Sequence, residues 1–502
     1  MDIGLMLASI TQVFALSNVL FVLLGALGGV LIGSIPGLTS TMGIALLVPF
    51  TYGMSVIPSI GMLLGIFCGA MYGGSIAAIL IKTPGTPAAA ATVMDGYPMG
   101  QKGESGRALA IALFSSFCGG MIGALVMTFL SPFISRMALK FGPAEFFTLA
   151  VFGLSVIISI SGKSLTKGLM SAFFGLLIAT VGMDKTSAYL RFTKLPGFYE
   201  GIPFIPGLIG LFALSEVFAN IENILRSTKI TTKISGVLPG LTDIKTIARP
   251  VLTGGVIGTF IGAIPGAGGD IAAFVSYSEA KRVSKHPEKF GTGIPEGVAA
   301  AEAANNGCTG GAMIPLLSLG IPGDSNTAVL MGAFIMHGFQ PGPMMYVEHM
   351  DIIYAVFVSM MLANIAMLIV GMCGIKIFAK VISLERKMLI PAIMVLSLVG
   401  SYAINGNMFD VYFAIIMGVI GYVLQKYEFP LSPILLALIL GPMSESNLRR
   451  FMQIDDGQFW RIFTKPICVL FIVLALGSMV TSVINQRKIN KRIEASGNEA
   501  QE

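Results

Sequence analysis

The chain reads as an all-α polytopic membrane protein, made of two inverted repeats whose helices are broken at Pro-Gly. Three observations predict this class. Hydrophobic residues make up 54% and charged residues 12% of the 502 positions, and the mean hydropathy is +0.83, outside the range of a soluble globule. Apolar runs near 107–133, 144–160, 165–183, 350–372, 388–402, 410–424 and 463–484 match the roughly 20 residues needed to cross about 30 Å of hydrocarbon. One motif also occurs twice: Gly33-Ser34-Ile35-Pro36-Gly37 is echoed by Gly262-Ala263-Ile264-Pro265-Gly266, and Thr83-Pro84-Gly85-Thr86 by Ile321-Pro322-Gly323-Asp324. Hydrophobic segments broken by Pro-Gly at matching places in two halves point to a solute site built from discontinuous helices.

No soluble domain is left over. The longest polar interval, from Arg226 to Arg249, is too short to bury a core. The expected division is a membrane repeat over 1–225, a cytoplasmic amphipathic connector over 226–250, a second membrane repeat over 251–485 and a cytoplasmic polar tail over 486–502. About ten to twelve crossings follow, depending on how broken segments are counted. The first Lys or Arg is Lys82, so the N-terminal apolar run lacks the positive start of a secretory signal and is expected to remain in place. Within the connector, Gly-Val-Leu-Pro-Gly at 236–240 and then Thr242-Asp243 read as a capped amphipathic turn on the cytoplasmic surface.

Charge distribution gives the sense of the repeat. After the first motif, the loop at Tyr52–Ser59 is neutral in the first half, whereas the second half has Lys281, Arg282, Lys285 and Lys289. After the second motif the asymmetry reverses: Lys102 and Arg107 stand in the first half, and no Lys or Arg occurs between Gly338 and Asp351. Positive loops mark the cytoplasmic side, so equivalent loops face opposite sides. Lys163/Lys167, the 226–249 stretch, Lys376 to Lys387 and the Arg487–Arg492 tail agree; Arg136/Lys140, Lys185–Lys194 and Arg449/Arg450 do not. The N-terminus is expected outside and the C-terminus in the cytoplasm.

Taken in order, the segment 30–51 has Pro36 to end one helix and Thr39, Ser40 and Thr41 to start the next. Their hydroxyls can cap it, and a helix N-terminus within the membrane is a seat for a carboxylate. In 73–98, Thr83, Gly85 and Thr86 occupy the second break. Lys82 beside them either meets an anion or snorkels. Asp95-Gly-Tyr97-Pro and His337-Gly338-Phe339 read as turns closing the two hairpins.

The second copy of the first motif carries Asp270 just after Pro265-Gly266-Ala267-Gly268-Gly269. A carboxylate there can neutralise a coupling cation or cap a helix at Ile271. Glu302, Asn305 and Asn306 lie in the weakly hydrophobic stretch 294–310, which crosses a membrane only against other protein. The second break, Gly323-Asp324-Ser325-Asn326-Thr327, concentrates oxygen-bearing side chains suited to a hard cation or a carboxylated solute.

Other chemistry is not signalled. Five Cys show no CxxC or Cys/His spacing and three His are scattered, so no metal site is expected. Sixty-one Gly and thirty Met suit close helix packing in lipid. The net charge of +6 is spread over short loops and reads as positive-inside bias rather than nucleic-acid binding. HExxH, Gly-x-Ser-x-Gly and Walker motifs are missing, so neither catalytic residues nor a cofactor is expected.

The stretches GSIPGLTSTMGIALLVPFT, GGSIAAILIKTPGTPAAAATVMDGYPM with QKGESGRAL, IPGAGGDIAAFVSY and EAANNGCTGGAMIPLLSLGIPGDSNTAVLMGAF resemble the large membrane subunit of the tripartite tricarboxylate transporter family. That resemblance implies a bacterial inner-membrane location. It also implies a small membrane partner of about four helices, a periplasmic solute-binding protein, and ion-gradient-driven uptake of di- or tricarboxylates. It does not transfer individual binding residues. The expected solute site is Thr39, Ser40, Thr41, Thr83, Gly85, Thr86, Asn305, Asn306, Gly323, Ser325, Asn326 and Thr327, with Asp270 and Asp324 for a sodium ion or proton. A homo-oligomer is compatible with the sequence. A channel subunit and an intramembrane enzyme using Asp270 and Asp324 are the rival readings.

Overall fold

Pro-Gly pairs set four of the helix boundaries. In a computed structural model of the chain, residues 3–160, 164–184, 187–221, 239–381 and 386–499 are described. The chain begins with α1 (Ile3–Val13) and α2 (Leu16–Ser34); α2 stops just before Ile35-Pro36, where helix is disfavoured. Then come α3 (Ser40–Leu47), α4 (Val56–Ile81), an interruption at Pro84-Gly85, α5 (Ala90–Gln101) and the long α6 (Ser105–Ala138). Helices α7 (Pro143–Ile160) and α8 (Leu165–Ala179) precede a short antiparallel pairing of Gly182–Met183 with Leu190–Arg191. The α9 helix (Phe204–Leu208) continues through a π-helical segment, Ile209–Leu214, into α10 (Ser215–Ile221).

The same succession then recurs. Helix α11 (Leu241–Gly262), a Pro-Gly break, α12 (Gly268–Val283), α13 (Pro295–Leu319), a second break and α14 (Ser325–Met336) follow one another. After α15 (Met345–Glu348) come α16 (Met350–Val381), α17 (Arg386–Asn405), α18 (Met408–Lys426), α19 (Ser432–Ile454) and α20 (Pro466–Glu499). Seven of the described helices are long and apolar enough to cross a membrane, among them Leu16–Ser34 and Val56–Ile81; the chain is a multi-pass membrane protein. The stretches expected at 144–160, 165–183 and 388–402 form shorter apolar helices.

Two compact units emerge: Met1–Leu139 with Ile205–Val419, and Lys140–Phe204 with Ile420–Glu502. In the first, α2 packs on α4 and α11 packs on α13. The halves exchange partners: α13 lies along α6 and α4 along α16, while α14 meets α3 and α5 meets α12. Swapping the halves leaves this pairing scheme unchanged.

Small residues make the pairing possible. Gly25, Gly29 and Gly33 of α2 face the backbone of Met62, Ile66 and Ala70, and Gly65, Gly69 and Gly73 of α4 face Val22, Ala26 and Val30. Any Cβ at these positions meets backbone atoms of the partner helix, so the helices approach as small-xxx-small pairs do in lipid. Gly254, Gly258 and Gly262 of α11 repeat the arrangement against Ala300, Ala304 and Cys308 of α13. Helix α13 is buried from Gly297 to Ser318, as its low hydrophobicity requires.

In the second unit α7 packs on α19 and α20, and α8 on α19. Arg191 and Arg449, which fitted the orientation rule poorly, are paired with Asp184 and Glu445 (Arg191–Glu445 2.8 Å, Arg449–Asp184 2.9 Å). Most of the connector, at 226–238, lies outside the described residues, as do Lys163, Lys185 and residues 382–385 within Lys376 to Lys387. The expected amphipathic turn at Thr242-Asp243 is the start of α11: the Asp243 side chain accepts from the Gly240 N–H at 3.3 Å, and the helix then runs on to Gly262.

Candidate functional site

Four helix interruptions, one per motif copy, define the site. At the first, Gly37 adopts a left-handed φ of 93°, which glycine tolerates without cost. Thr39 then caps α3, its hydroxyl accepting from the Met42 N–H at 3.2 Å. The second begins where α4 ends at Lys82, held at a φ of 59°. At the third, Gly266 and Gly268 make the turn and α12 starts at Gly268, so Asp270 sits inside the first turn instead of capping at Ile271. The earlier start follows from glycine's freedom at 268, which a side chain would lack. At the fourth, α13 ends at Gly320 with a φ of 72°, and Asp324 caps α14.

Three of these breaks meet through polar contacts. Ser40 Oγ and Thr41 Oγ1 donate to Asn326 Oδ1 at 2.7 and 2.9 Å. Asn326 Nδ2 donates to Asp324 Oδ2 at 3.0 Å, and the Thr327 N–H and Oγ1 donate to Asp324 Oδ1 at 2.8 and 2.7 Å. The Gly266 N–H donates to the Gly323 carbonyl at 2.6 Å. Asp270, exposed, and Asp324, buried, lie within electrostatic reach of each other and of Cys308. Ser325 begins α14 beside them.

A second group forms where α12 meets the other break. Asn305 Nδ2 donates to the Met71 carbonyl at 3.2 Å, while its Oδ1 is buried, with no hydrogen-bond partner among the described residues, and close to Gly269. Thr86 Oγ1 is likewise buried and unpartnered, beside Gly74. Gly85 is buried against Gly33, its N–H donating to the Gly74 carbonyl at 3.1 Å. Asn306 Oδ1 also has no hydrogen-bond partner among the described residues. Thr83 is not brought in; it is exposed and its hydroxyl turns back to the Ile81 carbonyl.

Two carboxylates matter more than the sequence suggested. Asp95 is not in a turn: α5 runs through Asp-Gly-Tyr-Pro without interruption. Local Asp-Gly and Tyr-Pro signals favour a turn, but buried partners outweigh them. Asp95 accepts from Tyr277 Oη at 2.8 Å and from the N–H groups of Gly291, Gly293 and Ile294 at 2.9, 2.7 and 3.0 Å. His337-Gly338 does close α14 as expected, with Gly338 at a φ of 85°. Glu302 is fully buried and accepts from Thr92 and from Ser116 Oγ, the latter at 2.8 Å. The signal for both was present: an ionisable residue within an apolar segment is seldom idle.

Lys82 points toward the Tyr97 ring, 5.7 Å from its centroid. Among the described residues, no group of three or more His, Cys, Asp or Glu could hold a metal ion.

Comparison with known proteins adds to this geometry. Residues 19–436 match the model of the tripartite tricarboxylate transporter TctA family. The chain is 38% identical over 468 residues, 93% of either chain, to a protein of Agrobacterium vitis described as an uncharacterized 52.8 kDa protein in the TAR-I ttuC' 3'region. It is 38% identical over 227 residues, 45% of this chain and 94% of the other, to an uncharacterized protein in the TAR-II ttuC' 3'region of the same organism. No solved structure matches.

Proposed function

The chain belongs to the tripartite tricarboxylate transporter TctA family, and from that premise we propose that it is the large membrane subunit of a binding-protein-dependent importer of di- or tricarboxylates. A sodium or proton gradient drives it through alternating access. Its partners are a small membrane subunit of about four helices and a periplasmic solute-binding protein. It lies in the bacterial inner membrane with its C-terminus in the cytoplasm.

One observation carries this reading: Ser40 and Thr41 from one half share Asn326 with Asp324 from the other, at helix ends interrupted by Pro-Gly. Helix N-termini supply N–H groups and a positive dipole end for a carboxylate. The solute is held by Thr39–Thr41, Asn326, Thr327 and the Gly323 and Ser325 backbone, with Thr86, Asn305 and Asn306 completing the path from the other side. Asp270 and Asp324 take the coupling cation. The repeats are inverted, and the broken helices of one move against a frame of long helices to change access.

Vesicles containing this chain and its small subunit, loaded with labelled di- and tricarboxylates under imposed sodium or proton gradients, test the proposal. Accumulation that needs the binding protein and one gradient supports it. Flux that equilibrates without ever accumulating solute favours a channel, and turnover of a lipid or peptide favours an enzyme.

A further inference from the structure

Glu302 is a carboxylate with no countercharge among the described residues. It lies in the N-terminal third of α13, fully buried, with Thr92 of α5 and Ser116 of α6 donating to its two oxygens. Ser75 Oγ of α4 approaches it without completing a hydrogen bond, and the buried, unpartnered Tyr72 Oη of the same helix is within electrostatic reach. One helical turn further along α13, Asn306 Oδ1 is also buried and unpartnered. Among the described residues no Lys or Arg acts on this carboxylate, although the surrounding helices carry Arg136 on α6, Lys245 and Arg249 on α11, and Lys281 and Arg282 on α12. Asp95 on α5 is bonded to Tyr277 on α12, and Arg107 on α6 is bonded to Asp243 on α11, while Asp270 and Asp324 add only negative charge.

Burying a bare carboxylate costs more than two hydroxyl bonds return. Such a group holds a proton or a metal cation. The oxygens around it come from three helices of the first half, and the carboxylate comes from the second half, so any displacement of one against the other opens or closes the cage. We propose that Glu302 binds one monovalent positive charge of the coupling gradient, a proton or a sodium ion separate from the cation assigned to Asp270 and Asp324, within the hydroxyl cage of Thr92, Ser116, Ser75 and Tyr72. This assignment rests on the transport reading for its role, but the binding itself is tested without transport.

The full-length protein, purified with and without Glu302→Gln, is examined by infrared difference spectroscopy in sodium-free buffer and by binding of radiolabelled sodium. The proton arm predicts a neutral-carboxyl band in the wild type that disappears in Glu302→Gln, with no sodium bound at this site. The sodium arm predicts sodium binding that weakens about tenfold or more in Glu302→Gln, the scale of one charge-assisted contact. A folded Glu302→Gln protein that binds sodium like the wild type and keeps every neutral-carboxyl band overturns the proposal. Where Glu302→Gln does not fold, Ser116→Ala and Thr92→Val replace it, expected to shift the band or weaken sodium binding; no change in either again overturns it. Binding signals as expected in a wild-type protein that, with its partners, accumulates no solute count against the transport reading alone.

Discussion

Ser40 and Asn326, far apart in the chain, share a buried hydrogen bond of 2.7 Å. Thr41 reaches the same Asn326 oxygen at 2.9 Å, and the Asn326 amide nitrogen holds Asp324 at 3.0 Å. One amide therefore ties the start of α3 to the start of α14.

Asn326→Ala leaves two buried hydroxyls and a carboxylate oxygen without this partner, and the expected cost is about 1–3 kcal/mol. Thermal unfolding in detergent reads the stability loss. Uptake kinetics should show a raised KM for the solute; an unchanged KM in a folded variant removes Asn326 from the site.

Asp324→Ala removes both the cap of α14, worth about 1 kcal/mol, and a proposed cation ligand. Asp324→Asn keeps much of the cap. Cation-dependent uptake is expected to fail in both variants while membrane insertion persists. Cation dependence that survives in the Asn variant assigns Asp324 to capping alone.

Asp95→Ala strips the acceptor from three backbone N–H groups and Tyr277, at an expected cost of about 3 kcal/mol or more. The segment around Gly291–Ile294 should loosen, and trypsin should then cleave at Lys285 or Lys289 faster than in the wild type. Equal cleavage rates contradict this role.

Gly28 and Gly29 are adjacent, yet a Cβ at Gly29 meets the Ile66 and Ala70 backbone whereas one at Gly28 meets nothing within 4 Å. Gly29→Ala should destabilise the α2–α4 pair by about 1–3 kcal/mol. Gly28→Ala should be neutral or stabilising by about 0.5–1 kcal/mol. The difference in thermal midpoint between the two variants is the measurement.

Lys82 holds the left-handed φ of 59° that its counterpart Gly320 holds at 72°. For a lysine that conformation costs about 1 kcal/mol, and Lys82→Gly should leave stability equal or higher. If the ammonium attracts an anionic solute, the same variant should raise KM; stability gained with KM unchanged assigns Lys82 to the interface.

The amino-acid sequence determined the class of the molecule, because composition and the length of apolar runs leave few ways to satisfy a backbone in lipid. It also marked the four Pro-Gly interruptions, because proline disfavours helix in the residue before it and glycine permits the turn that follows, although prolines such as Pro98 and Pro315 lie within helices. Pro36, Pro84, Pro265 and Pro322 each mark an interruption, and Thr39 and Asp324 cap the helices that follow. Tertiary structure decided the rest. Asp95 stays helical against local turn signals because four donors from distant residues converge on it. Glu302 has no countercharge among the described residues, and Asn326 joins the halves, for the same reason: burial and pairing depend on which helices pack together. That choice rests on matching small-residue surfaces such as Gly29 on Ile66 and Gly258 on Ala304, a complementarity between distant segments that no local pattern encodes.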